Sequence, residues 1–112
     1  MAFLVLCMDK PDGLALRKKT RAVHLEYMIR HKARVIFGGP LVNDDGDRTV
    51  GSLMMLDFSE RPAVEAFLGD EPYTRAGLFE SVIIRRWRQV VPEREPNFLA
   101  NELARERGAQ RV

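Results

Sequence analysis

The sequence holds one cysteine, Cys7, one tryptophan and two histidines among its 112 residues. A single thiol builds no disulfide framework and no thiolate metal site, which fits a reducing compartment, and we expect a cytoplasmic protein. No apolar run approaches the roughly 18 residues of a membrane span. The N-terminal MAFLVLCM is too short for one, and it lacks a basic flank and a small-residue cleavage site. Charge of one sign is also missing. The 18 Lys+Arg against 16 Asp+Glu leave a formal +2, too slight to announce nucleic acid. The basic clusters Arg17, Lys18, Lys19, Arg21 and Arg85, Arg86, Arg88 therefore read as solvated faces. There are no internal repeats and no low-complexity tract.

What is present is the composition of a folded domain, 46% hydrophobic and 30% charged. The length suits one domain with one modest core. We divide it into a body, 1–92, and a charged tail, 93–112, with a helix expected near 97–107. Residues 2–8 are continuously apolar, the pattern of a strand buried on both faces. After the break DKPDG, with Asp12 as candidate N-cap, 13–33 has helical periodicity; Leu25, Met28, Ile29 and Lys32 mark its apolar edge. A second strand, 34–37, runs into a bend at Gly38-Gly39-Pro40, and NDDGD at 43–47 is a hairpin turn. A third strand covers 49–58. Ser59 is a candidate cap for a helix over 60–68 that buries Val64, Phe67 and Leu68. The loop GDEPYTRAG leads to a fourth strand, 78–88, with Phe79, Ile83 and Trp87 on one face and Val82 and Ile84 on the other.

The order βαββαβ predicts an α+β, ferredoxin-like sandwich with both helices on one sheet face. Strands one and four are then apolar on a face that nothing in the chain covers. A second copy packed sheet to sheet would cover it, so we expect a homodimer.

On the first helix, Arg17, Arg21, His24, Met28 and His31 step by four, three, four and three, which puts them on one stripe. Flanking arginines favour a neutral His24, able to act as a general base. The same pattern suits a histidine at a helix edge that bonds a loop carbonyl. His31, near the helix end, suits the helix dipole. Asp70-Glu71-Pro72-Tyr73 places two carboxylates where proline excludes helix. One of them could orient an imidazole, or both could be a solvated helix end. Gly39 permits close approach of a ligand, though a strand bulge explains it equally well. Ser52, beside Gly51, is a candidate donor facing a pocket. Two histidines seven residues apart on a helix lie roughly 10 Å apart, and no Cys/His cluster completes a metal site.

Taken together, the apolar first strand, R-x-x-H-L at 21–25, G-G-P-L at 38–41, G-S at 51–52 and E-P-Y-x-x-A-G-L-F-E at 71–80 resemble the YciI-like, or YCII-related domain, family. The resemblance runs from about residue 2 to Trp87. It implies a ferredoxin-like fold that dimerises as an α/β barrel, and a site built on a histidine and an aspartate. The histidine maps to His24. The aspartate belongs to D-P-[FY], where this chain has Glu71, with Asp70 one position earlier; we favour Glu71. The resemblance further implies proton abstraction, isomerisation or elimination on a small, anionic cyclic metabolite, without a cofactor. One branch resembles dehydrochlorinases of chlorinated hydroxyquinols. In that reading His24 is the base, Glu71 or Asp70 orients it, Arg21 and Arg17 hold an anionic group, and Ser52, Gly39 and Tyr73 line the cleft. The rival is a non-catalytic binding module that uses the same cleft.

Overall fold

A run of apolar side chains is best buried mid-sheet, and there β1 (Ala2–Asp9) lies in the computed structural model, which describes residues 2–110. The remaining elements are α1 (Leu14–His31), β2 (Val35–Val42), β3 (Thr49–Leu56), α2 (Arg61–Asp70), the single-turn α3 (Pro72–Arg75), β4 (Phe79–Trp87) and α4 (Phe98–Gln110), with a 3-10 turn over Lys32–Arg34. The strands pair antiparallel in the order β2-β3-β1-β4. That is the ferredoxin-like sandwich the element order predicts. The expected boundaries at residue 1 and at 111–112 lie outside the described residues.

The core fills the space between the sheet and α1 and α2. Phe3, Val5 and Cys7 of β1, Met54 and Leu56 of β3 and Ile84 of β4 meet Tyr27 of α1 and Val64, Phe67 and Leu68 of α2. The Tyr27 hydroxyl donates to the Phe67 carbonyl at 2.7 Å, so this ring is buried without an orphaned polar atom. His31 packs on the same aromatic group, 4.3 Å from the Tyr27 ring. The β2–β3 hairpin is held by Asn43, whose Oδ1 accepts the backbone N–H groups of Asp47 and Arg48.

Several local expectations are corrected. Neither Asp12 nor Ser59 caps a helix. The N-cap positions are Gly13 and Glu60, without side-chain cap bonds. In α1 a turn closed by the Gly13 N–H on the Lys10 carbonyl sets the start instead. Gly38-Gly39-Pro40 is no bend. These residues continue β2 to Val42, which is tolerable because β2 is an edge strand and Pro40 need not donate on its outer side. In β4 the register with β1 shifts between Met8 and Asp9. This bulge returns Phe79 to the helix-facing side with Ile84, so Phe79 does not share a face with Ile83 and Trp87.

The largest correction concerns α1. Its buried residues are Arg17, Thr20 and Tyr27, whereas Ile29 is 67% exposed and Leu25 also reaches solvent. The helix therefore turns its charged and aromatic stripe inward. The tail helix α4 forms as expected but makes no extended packing with the body. The molecule measures 58 × 32 × 21 Å, and Leu99 and Leu103 are exposed.

At Gly51 β3 lies close against β1, and an added Cβ would collide with the Cys7 carbonyl oxygen. Gly51→Ala is expected to force β1 and β3 apart and cost about 1–3 kcal/mol. Thermal unfolding should show this as a Tm lowered by several degrees, and an unchanged Tm would refute the close contact.

Candidate functional site

Pro72 controls the local geometry, because it disfavours the helical region for the residue before it. Glu71 accordingly adopts an extended backbone (φ −68°, ψ 129°) that ends α2 and caps α3. Its Oε2 accepts the backbone N–H groups of Tyr73 and Thr74 at 3.1 and 3.4 Å. The longer glutamate side chain leaves Oε1 free to reach α1, where it accepts from His24 Nδ1 at 2.5 Å. Glu71 is only 1% exposed, so its carboxylate is satisfied wholly by protein donors. With Nδ1 so committed, Nε2 is left without a protein partner among the described contacts, and in the neutral ring it is the nitrogen that carries the lone pair. The ring is also stacked on Tyr73, with centroids 4.0 Å apart and planes 17° apart.

His24, Glu71 and Tyr73 line a cleft of about 490 Å³ between α1 and the sheet. Its apolar wall comes from Leu14, Leu25, Met28, Met54 and Phe79, and its edge from Gly38, Gly39 and Pro40 of β2. Nothing lies within 4 Å of where a Gly39 Cβ would be, so the residue leaves open space at that edge. Arg21 and Lys18 stand at the rim, exposed and without an ion pair among the described contacts.

Arg17 has a different place from the one expected. The residue is 7% exposed, and its guanidinium donates through Nε and Nη2 to the two oxygens of Asp9, at 2.8 and 2.9 Å. Nη2 also donates to Ser52 Oγ at 2.9 Å. The cation lies 4.6 Å from the centre of the Tyr73 ring. Burial pulls the Arg17 pKa down, but the hydrogen bond and charge of Asp9 prevail and raise it. Arg17 is thus tied into the wall, and Ser52 is its acceptor as well as a lining residue. Burial raises the Tyr73 pKa against the opposing pull of Arg17, keeping the phenol protonated. Burial likewise pushes the Cys7 thiol up to about 12, so beneath the site it is a neutral core group, not a nucleophile.

Of the two candidate carboxylates, only Glu71 meets His24. Asp70 is exposed at the end of α2 and makes no bond to His24 among the described contacts. Asp9, Lys18, Met54 and Phe79 join the site without having been expected there from sequence. For Asp9 one signal existed: an acid closing an apolar strand, followed on the next helix by an arginine of the inward stripe. Among the described residues no three His, Cys, Asp or Glu side chains gather to hold a metal ion.

A family model described as the YCII-related domain matches residues 1–88. Relatives called Protein YciI, from Escherichia coli O6:H1 and Shigella flexneri, are each 28% identical over 97 residues, which cover 80% of this chain and 99% of the relative. Among solved structures, 5-chloro-2-hydroxyhydroquinone dehydrochlorinase (TftG) from Burkholderia phenoliruptrix, in complex with 2,5-dihydroxybenzoquinone, is similar with a TM-score of 0.76. It is 31% identical, and the match covers 83% of this chain and 99% of that one. SnoaB from Streptomyces nogalater, a cofactor-independent oxygenase, has a TM-score of 0.50 at 14% identity over 82% of this chain and 96% of its own, and so shares the fold alone.

The geometry makes Asp9 the counter-charge of a buried cation. Asp9→Ala should cost about 3–5 kcal/mol, the usual result of leaving one member of a buried ion pair alone. The double variant Asp9→Ala/Arg17→Met should recover much of that loss in a denaturant titration. No recovery would contradict the pairing.

Proposed function

The chain belongs to the YCII-related domain family, and on that premise we propose an enzyme that performs general acid–base chemistry on a small, anionic cyclic compound. The observation that carries this reading is the Glu71–His24 bond, which leaves Nε2 as the basic nitrogen of a ring lining the cleft between α1 and the sheet. Nε2 takes a proton from an O–H or C–H of the bound ring compound, and the electron pair left behind drives isomerisation or expels a leaving group. Glu71 keeps Nδ1–H in place and stabilises the imidazolium that forms. Its other oxygen is fixed by two backbone amides, so the carboxylate need not reorganise as charge develops. Tyr73 holds the imidazole plane by stacking and excludes water from the pair. Arg21, with Lys18 beside it at the rim, holds the anionic substituent; Arg17, spent on Asp9 and Ser52, shapes the wall. Every step uses groups of this chain.

The likeness to a dehydrochlorinase whose structure holds a dihydroxybenzoquinone supports a flat, oxygenated six-membered ring as ligand, as does the apolar wall of Met28, Met54 and Phe79. The test uses 5-chloro-2-hydroxyhydroquinone as substrate and 2,5-dihydroxybenzoquinone as ligand. His24→Ala is expected to lower turnover by about 10²–10⁴-fold, as loss of a general base does, while quinone affinity changes little. Arg21→Met should instead weaken binding. Quinone binding without turnover by the unaltered chain would leave a binding module and overturn the enzymatic reading; equal turnover by His24→Ala would overturn His24 as the base.

The protein acts, in this reading, as a homodimer. The sheet face away from the helices carries Leu4, Leu6, Met8 and Leu53, only partly buried, together with the exposed Ile83 and Trp87. A contiguous apolar face of this kind calls for a partner surface, and the same face of a second copy is self-complementary. Sedimentation at micromolar concentration should give twice the mass of one 12.8 kDa chain; a single-chain mass would refute it.

A further inference from the structure

The family match ends at residue 88, and the structure beyond it is an arm with its own construction. Gln89 Nε2 donates to the Pro92 carbonyl at 2.9 Å, and the Leu99 N–H donates to Glu93 Oε2 at 2.7 Å. The Phe98 N–H donates to the Glu95 carbonyl at 3.2 Å. These bonds tie the arm to itself. Its seat borders a groove of about 480 Å³, lined by Ala2, Ile36, Met55 and Trp87 of the body and, on the arm, by Phe98 together with the polar Arg88, Gln89, Arg94 and Glu95. From that seat α4 leaves the body for 13 residues, a length of about 20 Å.

On α4, Leu99, Ala100, Leu103 and Ala104 fall on one side by helical spacing, whereas Glu102 and Arg105 pair at 2.7 Å on another. Leu99 is 43% and Leu103 50% exposed. α4 is not strongly amphipathic, since Glu106 and Arg107 flank the two leucines, but Leu99 and Leu103 still stand half-exposed on one side of an ordered helix. The seat of the arm identifies the occupant. Ala2, Met55 and Trp87 belong to the sheet face away from the helices, the face that a second copy covers in the dimer proposed above. Whatever lies on that face also lies beside the arm.

Four strands about 4.8 Å apart and about eight residues long outline a flat footprint of roughly 500 Å². Side chains standing out from it raise its accessible surface towards the roughly 800 Å² that a specific interface takes from each partner, and a helix edge lying against the other copy would add to that area. We propose that the C-terminal arm is a clasp: α4 docks its Leu99–Leu103 stripe on the second copy, at the margin of the sheet-to-sheet interface. The clasp rests on the dimer reading and adds to it an element outside the family's common domain.

The experiment compares the full chain with its Leu99→Glu/Leu103→Glu variant. Neither leucine is buried in its own subunit, and glutamate is a good helix former, so subunit and arm should both fold. Circular dichroism checks this. Sedimentation over a dilution series is expected to show a dimer for both chains, with a dissociation constant at least tenfold higher in the variant. Hydrogen exchange of the α4 amides in the unaltered chain should slow as concentration rises through dimerisation. Equal dissociation constants, or α4 exchange that ignores concentration, would overturn the clasp and leave the dimer standing. A full chain that stays monomeric throughout would overturn both, and the stripe would then serve a different protein.

Discussion

A carboxylate buried to 1% exposure must find donors for both oxygens, and in this protein that requirement organises the region around Glu71. One oxygen takes the two backbone amides that open α3, and the other takes the imidazole of α1. Three elements are thereby referred to a single group: the end of α2, the start of α3 and the middle of α1. Tyr73 is carried under the His24 ring as part of the same turn, and its other neighbour, Arg17, is pinned to the end of β1 by Asp9. Removing the carboxylate would leave two amides and a histidine without partners, so the site and the local fold rise and fall together.

The inward face of α1 shows what such a site asks of the core. Positions that an ordinary amphipathic helix fills with leucine or isoleucine hold Arg17, Thr20 and His24, while Ile29 is left in solvent. A buried cation is tolerated only because a bidentate carboxylate and a hydroxyl meet it at 2.8–2.9 Å. The apolar contribution is moved elsewhere, to the Tyr27–Phe67 cluster at the other end of the helix and to β1 and β3 beneath it. Local rules of patterning yield where chemistry needs polar groups on the inside.

The two faces of the sheet divide the labour. The helix-facing side holds the core and the cleft; the other side is apolar, leaves Ile83 and Trp87 exposed, and lies beside the root of the arm. That division is why a 112-residue chain can carry a buried polar network and still have apolar surface left for a partner.

Beyond the family resemblance that pointed His24 to Glu71 or Asp70, the sequence by itself determined the element order, the ferredoxin-like class and the three buried residues of α2. Each of these depends on near neighbours: alternation and apolar runs set strands, proline forbids helix behind it, and Val64, Phe67 and Leu68 share a helix face at spacings of three and one. The tertiary structure alone decided which face of α1 turns inward, that Glu71 and not Asp70 reaches the imidazole, that Arg17 belongs to Asp9, and that Phe79 shares a face with Ile84. Those outcomes depend on where distant segments arrive. A bulge inserts one residue in β4, the end of β1 places an acid under the first turns of α1, and an extended backbone at residue 71 aims one carboxylate inward while its neighbour faces water. Composition and spacing along one helix carry no record of what the other strands bring to meet it.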